Sequence, residues 1–277
     1  MPYLTTSDAT SLFYRSWGEG PAVVFTHGWA LSSELWQPEM LMLAKAGCRC
    51  IAYDRRGHGR SDDPGHGYDF DTLADDLAAV LDALDLHEAT LVGHSMGNGE
   101  IARYLTRHGD ARVACVVMLA PALPFALKTP ANPEGWTDPA VAEGWRAAWA
   151  TGFAEWLAPA AIAAYGPEAS LDRVQQTIRV MLQASIQAVI ETNIAVVETD
   201  FRDELRQIDV PVLVLQGDDD QSCPLEATGR KVAQMVRNGR LKVYPAAKHT
   251  LIGSHVDEIV GDIVAFIRAA GGRSQAA

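Results

Sequence analysis

Leu91-Val92-Gly93-His94-Ser95-Met96-Gly97 is the stretch that most restricts what this chain can fold into. A short apolar run, suited to a buried strand, leads into a serine flanked by glycines. Asn98 to His108 then carries Ile101, Ala102 and Leu105 along one side of an expected helix. Strand, tight turn and helix is the setting in which Gly-x-Ser-x-Gly presents a serine hydroxyl clear of the backbone. The glycines belong to that setting because the turn brings backbone against backbone and leaves no room for side chains beside the serine.

A serine hydroxyl is a poor nucleophile until a base takes its proton, and the base needs a third group to orient it. In such a turn the chain order is serine, acid, histidine. Downstream, Pro211-Val212-Leu213-Val214-Leu215-Gln216-Gly217 reads as a second buried strand, ending in Asp218, Asp219 and Asp220. A further strand, Leu241 to Tyr244, precedes Pro245-Ala246-Ala247-Lys248-His249. All three groups follow strands and are expected to meet at one edge of the sheet, where open α/β sheets keep their sites. Among the aspartates, Asp218 is placed to cap the turn through backbone N–H groups, and Asp220 is better placed to reach an imidazole, with its neighbours still open. His27, His58 and His94 adjoin glycines in early turns and read as structural, while His66, His87 and His108 lie in polar loops or at helix ends. His249 is the expected base, with His255 its rival.

Ala22 to Phe25, Cys48 to Ala52 and Val113 to Leu119 are further apolar strand candidates, and Leu12 to Trp17 suggests an antiparallel hairpin at one edge. Leu73, Leu77, Val80, Leu81 and Leu84 recur at helical spacing behind Asp71, the expected N-cap, and Ile259, Ile263 and Phe266 form a similar stripe. Strands alternating with helices imply a mostly parallel sheet covered on both faces. The alternation fails over residues 121–199, where prolines cluster and helical segments follow, with Val174, Ile178, Met181, Leu182 and Val189 as an apolar stripe. This segment is read as a helical cap inserted after the sixth strand, between core portions 1–120 and 200–277. It holds Trp136, Trp145, Trp149 and Trp156, and a roof of such residues over Ser95 would make an apolar cavity. Phe125, Trp149 and Phe153 from the cap, with Ser222 and Leu225 beside the acid, are the expected lining.

The formal net charge of −12 is spread along the chain, which disfavours nucleic acid and anionic membrane as partners. The opening Met1-Pro2-Tyr3-Leu4-Thr5 has no basic or apolar leader, and no run approaches membrane-span length. Cys48, Cys50, Cys115 and Cys223 form neither a metal-ligand nor a disulfide pattern, so a reducing cytoplasm is expected. No phosphate-binding glycine motif occurs, so neither cofactor nor metal is expected, and the sequence is compatible with a homo-oligomer.

Phe25-Thr26-His27-Gly28-Trp29, Ala52-Tyr53-Asp54-Arg55-Arg56-Gly57-His58-Gly59-Arg60-Ser61 and Gly93-His94-Ser95-Met96-Gly97 carry a wider likeness. It continues through Gly99-Glu100-Ile101-Ala102-Arg103-Tyr104, Glu198-Thr199-Asp200-Phe201, Gly217-Asp218-Asp219-Asp220-Gln221 and Lys248-His249. With these motifs the chain resembles the cofactor-free, non-heme haloperoxidases and arylesterases of the α/β-hydrolase superfamily. The resemblance implies an α/β-hydrolase fold, with a mostly parallel eight-stranded sheet flanked by helices. It implies Ser95 as nucleophile, Asp220 as acid and His249 as base, with the backbone N–H groups of Trp29 and Met96 as oxyanion hole. The expected reaction is hydrolysis of a small ester or lactone with an apolar part through an acyl-enzyme, with perhydrolase or haloperoxidase chemistry on the side. Carbon–carbon bond hydrolysis, cofactor-independent dioxygenation and ligand reception on the same fold are the alternatives. The chain departs from the family at Asn98 and Thr250, where glycine is common and added bulk would narrow the site. It also departs at Ala30, where many peroxidase-labelled relatives have proline.

Overall fold

The apolar runs form the strands of one sheet because each can bury both of its faces. The computed structural model describes residues 2–166 and 169–274. In it, β3 (Ala22–Thr26), β5 (Ala89–His94) and β7 (Val212–Gly217) are buried at every position. The side chains of the central strands alternate between two cores. Val24, Leu91, Met118 and Val214 face one; Val23, Phe25, Val92, Val117 and Leu215 face the other. Two buried faces are what a parallel sheet sandwiched between helices requires.

β1 (Tyr3–Thr5) and β2 (Ser11–Trp17) form the antiparallel edge, and β2 pairs antiparallel with β4 (Arg49–Tyr53). From β4 onward, β3, β5, β6 (Val113–Leu119), β7 and β8 (Gly239–Tyr244) run parallel, in the order β1-β2-β4-β3-β5-β6-β7-β8. The chain winds one way from β3 to β4 and the other way from β5 onward. The crevice beyond the C-terminal ends of β3 and β5 is therefore the topological switch point, where α/β sheets bind ligands.

Helices α1 (Gln37–Lys45) and α9 (Val256–Ser274) pack together, and α2 (Phe70–Ala83) packs against α3 (Gly97–His108). The N-cap of α2 is Asp69 rather than Asp71: its carboxylate accepts the Thr72 N–H at 3.0 Å. The helix starts earlier than its leucine repeat suggests because Phe70 is buried edge-on against Phe201, centroids 4.8 Å apart. Asp71 lies in the first turn and pairs with Arg103.

Between β6 and β7 come α4 (Pro139–Tyr165), α5 (Leu171–Met181) and α6 (Ile186–Glu198), followed by α7 (Arg202–Gln207). The helix α8 (Gly229–Met235) joins β7 to β8. Asp138 caps α4, with Pro139 at its first position, and the helix bends where Gly152 leaves helical geometry (φ −165°, ψ 60°). The stripe expected through Leu182 stops short. α5 ends at Met181, and Leu182, 47 % exposed, turns out to solvent while Val174, Val180 and Val189 are buried. Among the described residues, no single helix is long and apolar enough to cross a membrane.

Candidate active site

β5 ends at His94, and Ser95 follows with φ +54°, the left-handed turn that lets α3 begin at Gly97. The space around the turn explains its glycines. A Cβ on Gly97 would lie 2.5 Å from the Thr26 carbonyl oxygen; one on Gly93 would meet the Asn98 side chain at the same distance. Asn98 does not narrow the site, contrary to expectation. Fully buried behind the turn, it donates to the carbonyls of Ser95 (3.0 Å) and Leu119 (3.1 Å), tying β5 to β6. Gly97→Ala is expected to destabilise the fold by about 1–3 kcal/mol, because backbone rather than a flexible side chain must move. Chemical denaturation should register that loss, with a smaller one for Gly93→Ala.

His249 follows β8 through a turn in which the Ala246 N–H donates to Asp218 at 2.6 Å. Its Nε2 is 3.0 Å from Ser95 Oγ, and its Nδ1 is 2.8 Å from Asp220 Oδ2. The His94 Nε2–H holds the His249 carbonyl at 3.1 Å from below. The three aspartates have separate work. Asp218 closes the turn, Asp219 pairs with Lys248 at 2.5 Å, and Asp220 faces the imidazole. Asp220 is 3 % exposed, and its other oxygen accepts the N–H groups of Ser222 (3.0 Å) and Cys223 (2.8 Å). The buried amide of Gln216, whose position in a strand offered no signal of a role here, also points at Asp220, at 3.3 Å. His255 bonds Ser254 and packs edge-on against Tyr244, outside this group.

Burial opposes charge on both partners, and their mutual attraction prevails. The Asp220 carboxyl is held below the usual carboxylate range by His249 and the two N–H groups. The Asp220 carboxylate in turn holds the His249 imidazole well above its ordinary value. By contrast, burial pushes His58 and His94 down to about 3, so both are neutral, in keeping with their bonds to backbone.

Trp29 leaves β3 at the same sheet edge. Among the described residues, neither its backbone N–H nor that of Met96 donates a hydrogen bond within the protein. Two backbone donors without a partner in the protein, beside a serine, can serve a ligand. The Trp29 indole donates to the Val189 carbonyl of α6 at 2.8 Å. Around it stand Trp149 (ring centroids 4.6 Å), Phe153 (6.0 Å) and Trp156 (6.2 Å), so the bend of α4 brings three of its aromatic rings to one place. Trp145 stacks outside them and Trp136 is elsewhere. Phe125 is not in this group; its ring carries the Arg202 guanidinium at 5.6 Å. Ser222 and Leu225 flank the acid loop, Ser222 exposed and Leu225 buried. Ala30 has φ +55°, which a proline ring forbids, so this loop differs in backbone from one that carries proline there. Thr250 turns toward α4, 3.4 Å from the Ala164 carbonyl. Among the described residues no cluster of three His, Cys, Asp or Glu side chains is arranged to hold a metal ion.

Strand order, switch-point crevice and the turn at Ser95 together define the α/β-hydrolase class. A family model for the α/β-hydrolase fold matches residues 21–256. A non-heme haloperoxidase of Rhodococcus erythropolis is 42 % identical over 274 residues, covering 97 % of this chain and all of the relative. A bifunctional esterase/perhydrolase of Acinetobacter calcoaceticus is 37 % identical over 276 residues, with 97 % and 100 % covered. The crystal structure of a bromoperoxidase from Bacillus anthracis superposes with a TM-score of 0.92 at 30 % identity, covering 96 % of this chain and 99 % of that one. The chain belongs to the α/β-hydrolase fold family, among its non-heme haloperoxidases and esterases.

Proposed function

We propose that the protein is a carboxylic ester hydrolase acting through Ser95, His249 and Asp220, with Trp29 and Met96 as oxyanion donors. The reading rests on one observation above the others: a serine in the left-handed turn, 3.0 Å from an imidazole that is itself 2.8 Å from a buried carboxylate. His249 takes the Ser95 proton as Oγ attacks the ester or lactone carbonyl, and the two backbone N–H groups hold the developing oxyanion. His249 then protonates the leaving alcohol, and Asp220 stabilises the imidazolium that forms in between. Water, deprotonated by the same imidazole, attacks the acyl-enzyme and frees Ser95. Hydrogen peroxide in place of water yields a peracid, the step that connects an esterase to the perhydrolase and haloperoxidase names of its relatives.

The substrate is a small ester with an apolar part, received under the aromatic group of Trp29, Trp149, Phe153 and Trp156. Phe125, whose ring carries Arg202, stands apart from that group, and Ser222 and Leu225 flank the acid loop beside it. Four buried free cysteines support the reducing, cytoplasmic setting. A fluorophosphonate followed by intact-mass spectrometry tests the reading, alongside turnover of p-nitrophenyl acetate, butyrate and octanoate. The expected result is a single adduct on Ser95, with acetate turned over faster than octanoate, because close-packed aromatic rings leave space for a short acyl group. Folded protein with neither adduct nor turnover would refute it.

A further inference from the structure

Behind the proposed site lies a buried ion pair that takes no part in the proton transfers. Arg55, just after β4, and Glu100, in the first turn of α3, are each 1 % exposed. Removing two charges from water is costly unless further hydrogen bonds satisfy both groups. Here they do. The guanidinium clasps Glu100 Oε1, and the Tyr53 hydroxyl donates to Glu100 Oε2 at 2.8 Å. The rest of the guanidinium reaches across to the loop after β3. Its Nη2 donates to the His27 carbonyl at 2.6 Å and its Nη1 to the Gly28 carbonyl at 3.4 Å.

The Gly28 oxygen has other donors as well. His27 Nε2 accepts the Arg55 N–H at 3.0 Å, which assigns the ring proton to Nδ1, and Nδ1 lies 2.9 Å from the Gly28 oxygen. The Leu31 N–H approaches the same oxygen at 3.3 Å. Gly28 C=O and Trp29 N–H belong to one planar trans peptide, so they point in opposite directions. Holding the oxygen on the side of Arg55 therefore turns the Trp29 N–H to the other side. The loop borders the nucleophile there: a Cβ on Gly28 would lie 3.3 Å from the Ser95 Cβ. At its other end the ion pair grips α3, the helix that begins directly after Met96.

We infer that Arg55, anchored by Glu100, is a positioning residue that aims the Trp29 N–H and sets its separation from the Met96 N–H. One buried pair spans the two halves of the oxyanion hole, joining the loop that carries one donor to the helix that carries the other. Arginine suits the task because its planar fork engages a carboxylate and two carbonyls at once, which a lysine cannot do. The inference rests on the oxyanion assignment proposed above.

The test compares Arg55→Met, Arg55→Lys and Glu100→Gln with the wild type. It uses kcat and KM for p-nitrophenyl acetate, the Ki of a trifluoromethyl ketone and the thermal midpoint. The ketone adds to the serine and places a charged oxygen in the hole. Arg55→Met should lower kcat on the order of 10²-fold with KM changed less than about 3-fold, since the lost contact belongs to the transition state. Ketone affinity should fall in parallel, and the acidic limb of the pH profile should stay in place because His249 and Asp220 are untouched. Arg55→Lys should recover part of the loss. Should Arg55→Met fail to fold, Glu100→Gln, which keeps the shape and frees the guanidinium, is expected to give a kcat and ketone loss of about 10-fold. Folded variants with kcat and ketone affinity near wild type would overturn the inference, as would losses confined to the thermal midpoint. Wild-type protein that neither reacts with a fluorophosphonate nor turns over ester would instead remove the oxyanion assignment itself.

Discussion

Ser95→Ala is expected to lower kcat for ester hydrolysis on the order of 10⁶-fold. The magnitude follows from what the hydroxyl does. In the proposed mechanism it is the atom that forms the acyl bond, and among the described residues no second hydroxyl bonds His249: Nε2 faces Ser95 and Nδ1 faces Asp220. Once Oγ is gone, water must attack directly, helped by the remaining base and by the Trp29 and Met96 donors. A residual rate of about 10³-fold or more over the uncatalysed reaction should persist for that reason. The fold should hold, because alanine carries the same Cβ as serine at φ +54° and the backbone bonds from Ser95 N–H to Leu119 and from Asn98 to the Ser95 carbonyl remain. Single-turnover kinetics on purified variant, with a thermal melt beside it, decides the matter. Ester turnover close to wild type would contradict the nucleophile assignment, and retained turnover with oxygen uptake would point to a dioxygenase in which serine merely binds substrate.

Asp220→Asn should reduce kcat by roughly 10⁴-fold, through tautomer rather than geometry. Asp220 accepts the Ser222 and Cys223 N–H groups on one oxygen and faces His249 Nδ1 with the other. An asparagine in this slot must give its single oxygen to those two N–H groups, which turns its NH₂ toward the imidazole. Nδ1 then has to accept, the ring proton moves to Nε2, and His249 can no longer take the serine proton. The pH profile carries a second signature. In the proposed mechanism His249 works as a neutral base, so kcat/KM should fall as pH drops through its pKa. Burial lowers that pKa and the Asp220 carboxylate raises it, with the carboxylate prevailing. In the wild type the acidic limb is therefore expected above the ordinary imidazole value of 6.5. Removing the carboxylate takes away the strongest influence that raises it and leaves burial opposed by the Cys223 sulfur alone, so the limb should move to lower pH in Asp220→Asn. A limb that stays in place or moves to higher pH would count against this electrostatic account.

Sequence and fold agree where the physics is local. A continuous apolar run such as Leu213 to Leu215 is a strand with both faces covered, and Gly93 and Gly97 flank a turn that admits no Cβ. Boundaries shifted by a residue or two where a partner from elsewhere intervened. Phe70 started α2 early because Phe201 was there to receive it, and Leu182 fell out of its stripe because α5 ended one residue before it. Asn98 shows the limit in the opposite direction. As a bulky replacement for glycine it reads as an obstruction; in the fold it is a brace behind the turn.

The sequence by itself thus determined the layered sheet, the turn at Ser95 and the two strand ends after which Asp220 and His249 stand. These follow from the hydrophobic period and the conformational demands of a few consecutive residues. Only the tertiary structure decided that Asp220 rather than its neighbours faces the imidazole, which lies 154 positions along the chain from the serine it bonds. It also decided that the rings of α4 gather on Trp29, and that Arg55 and Glu100 clamp the loop beside the nucleophile. Such contacts are set by where rigid strands and helices come to rest against one another, and a side chain's partner across that distance leaves no mark on the residues next to it.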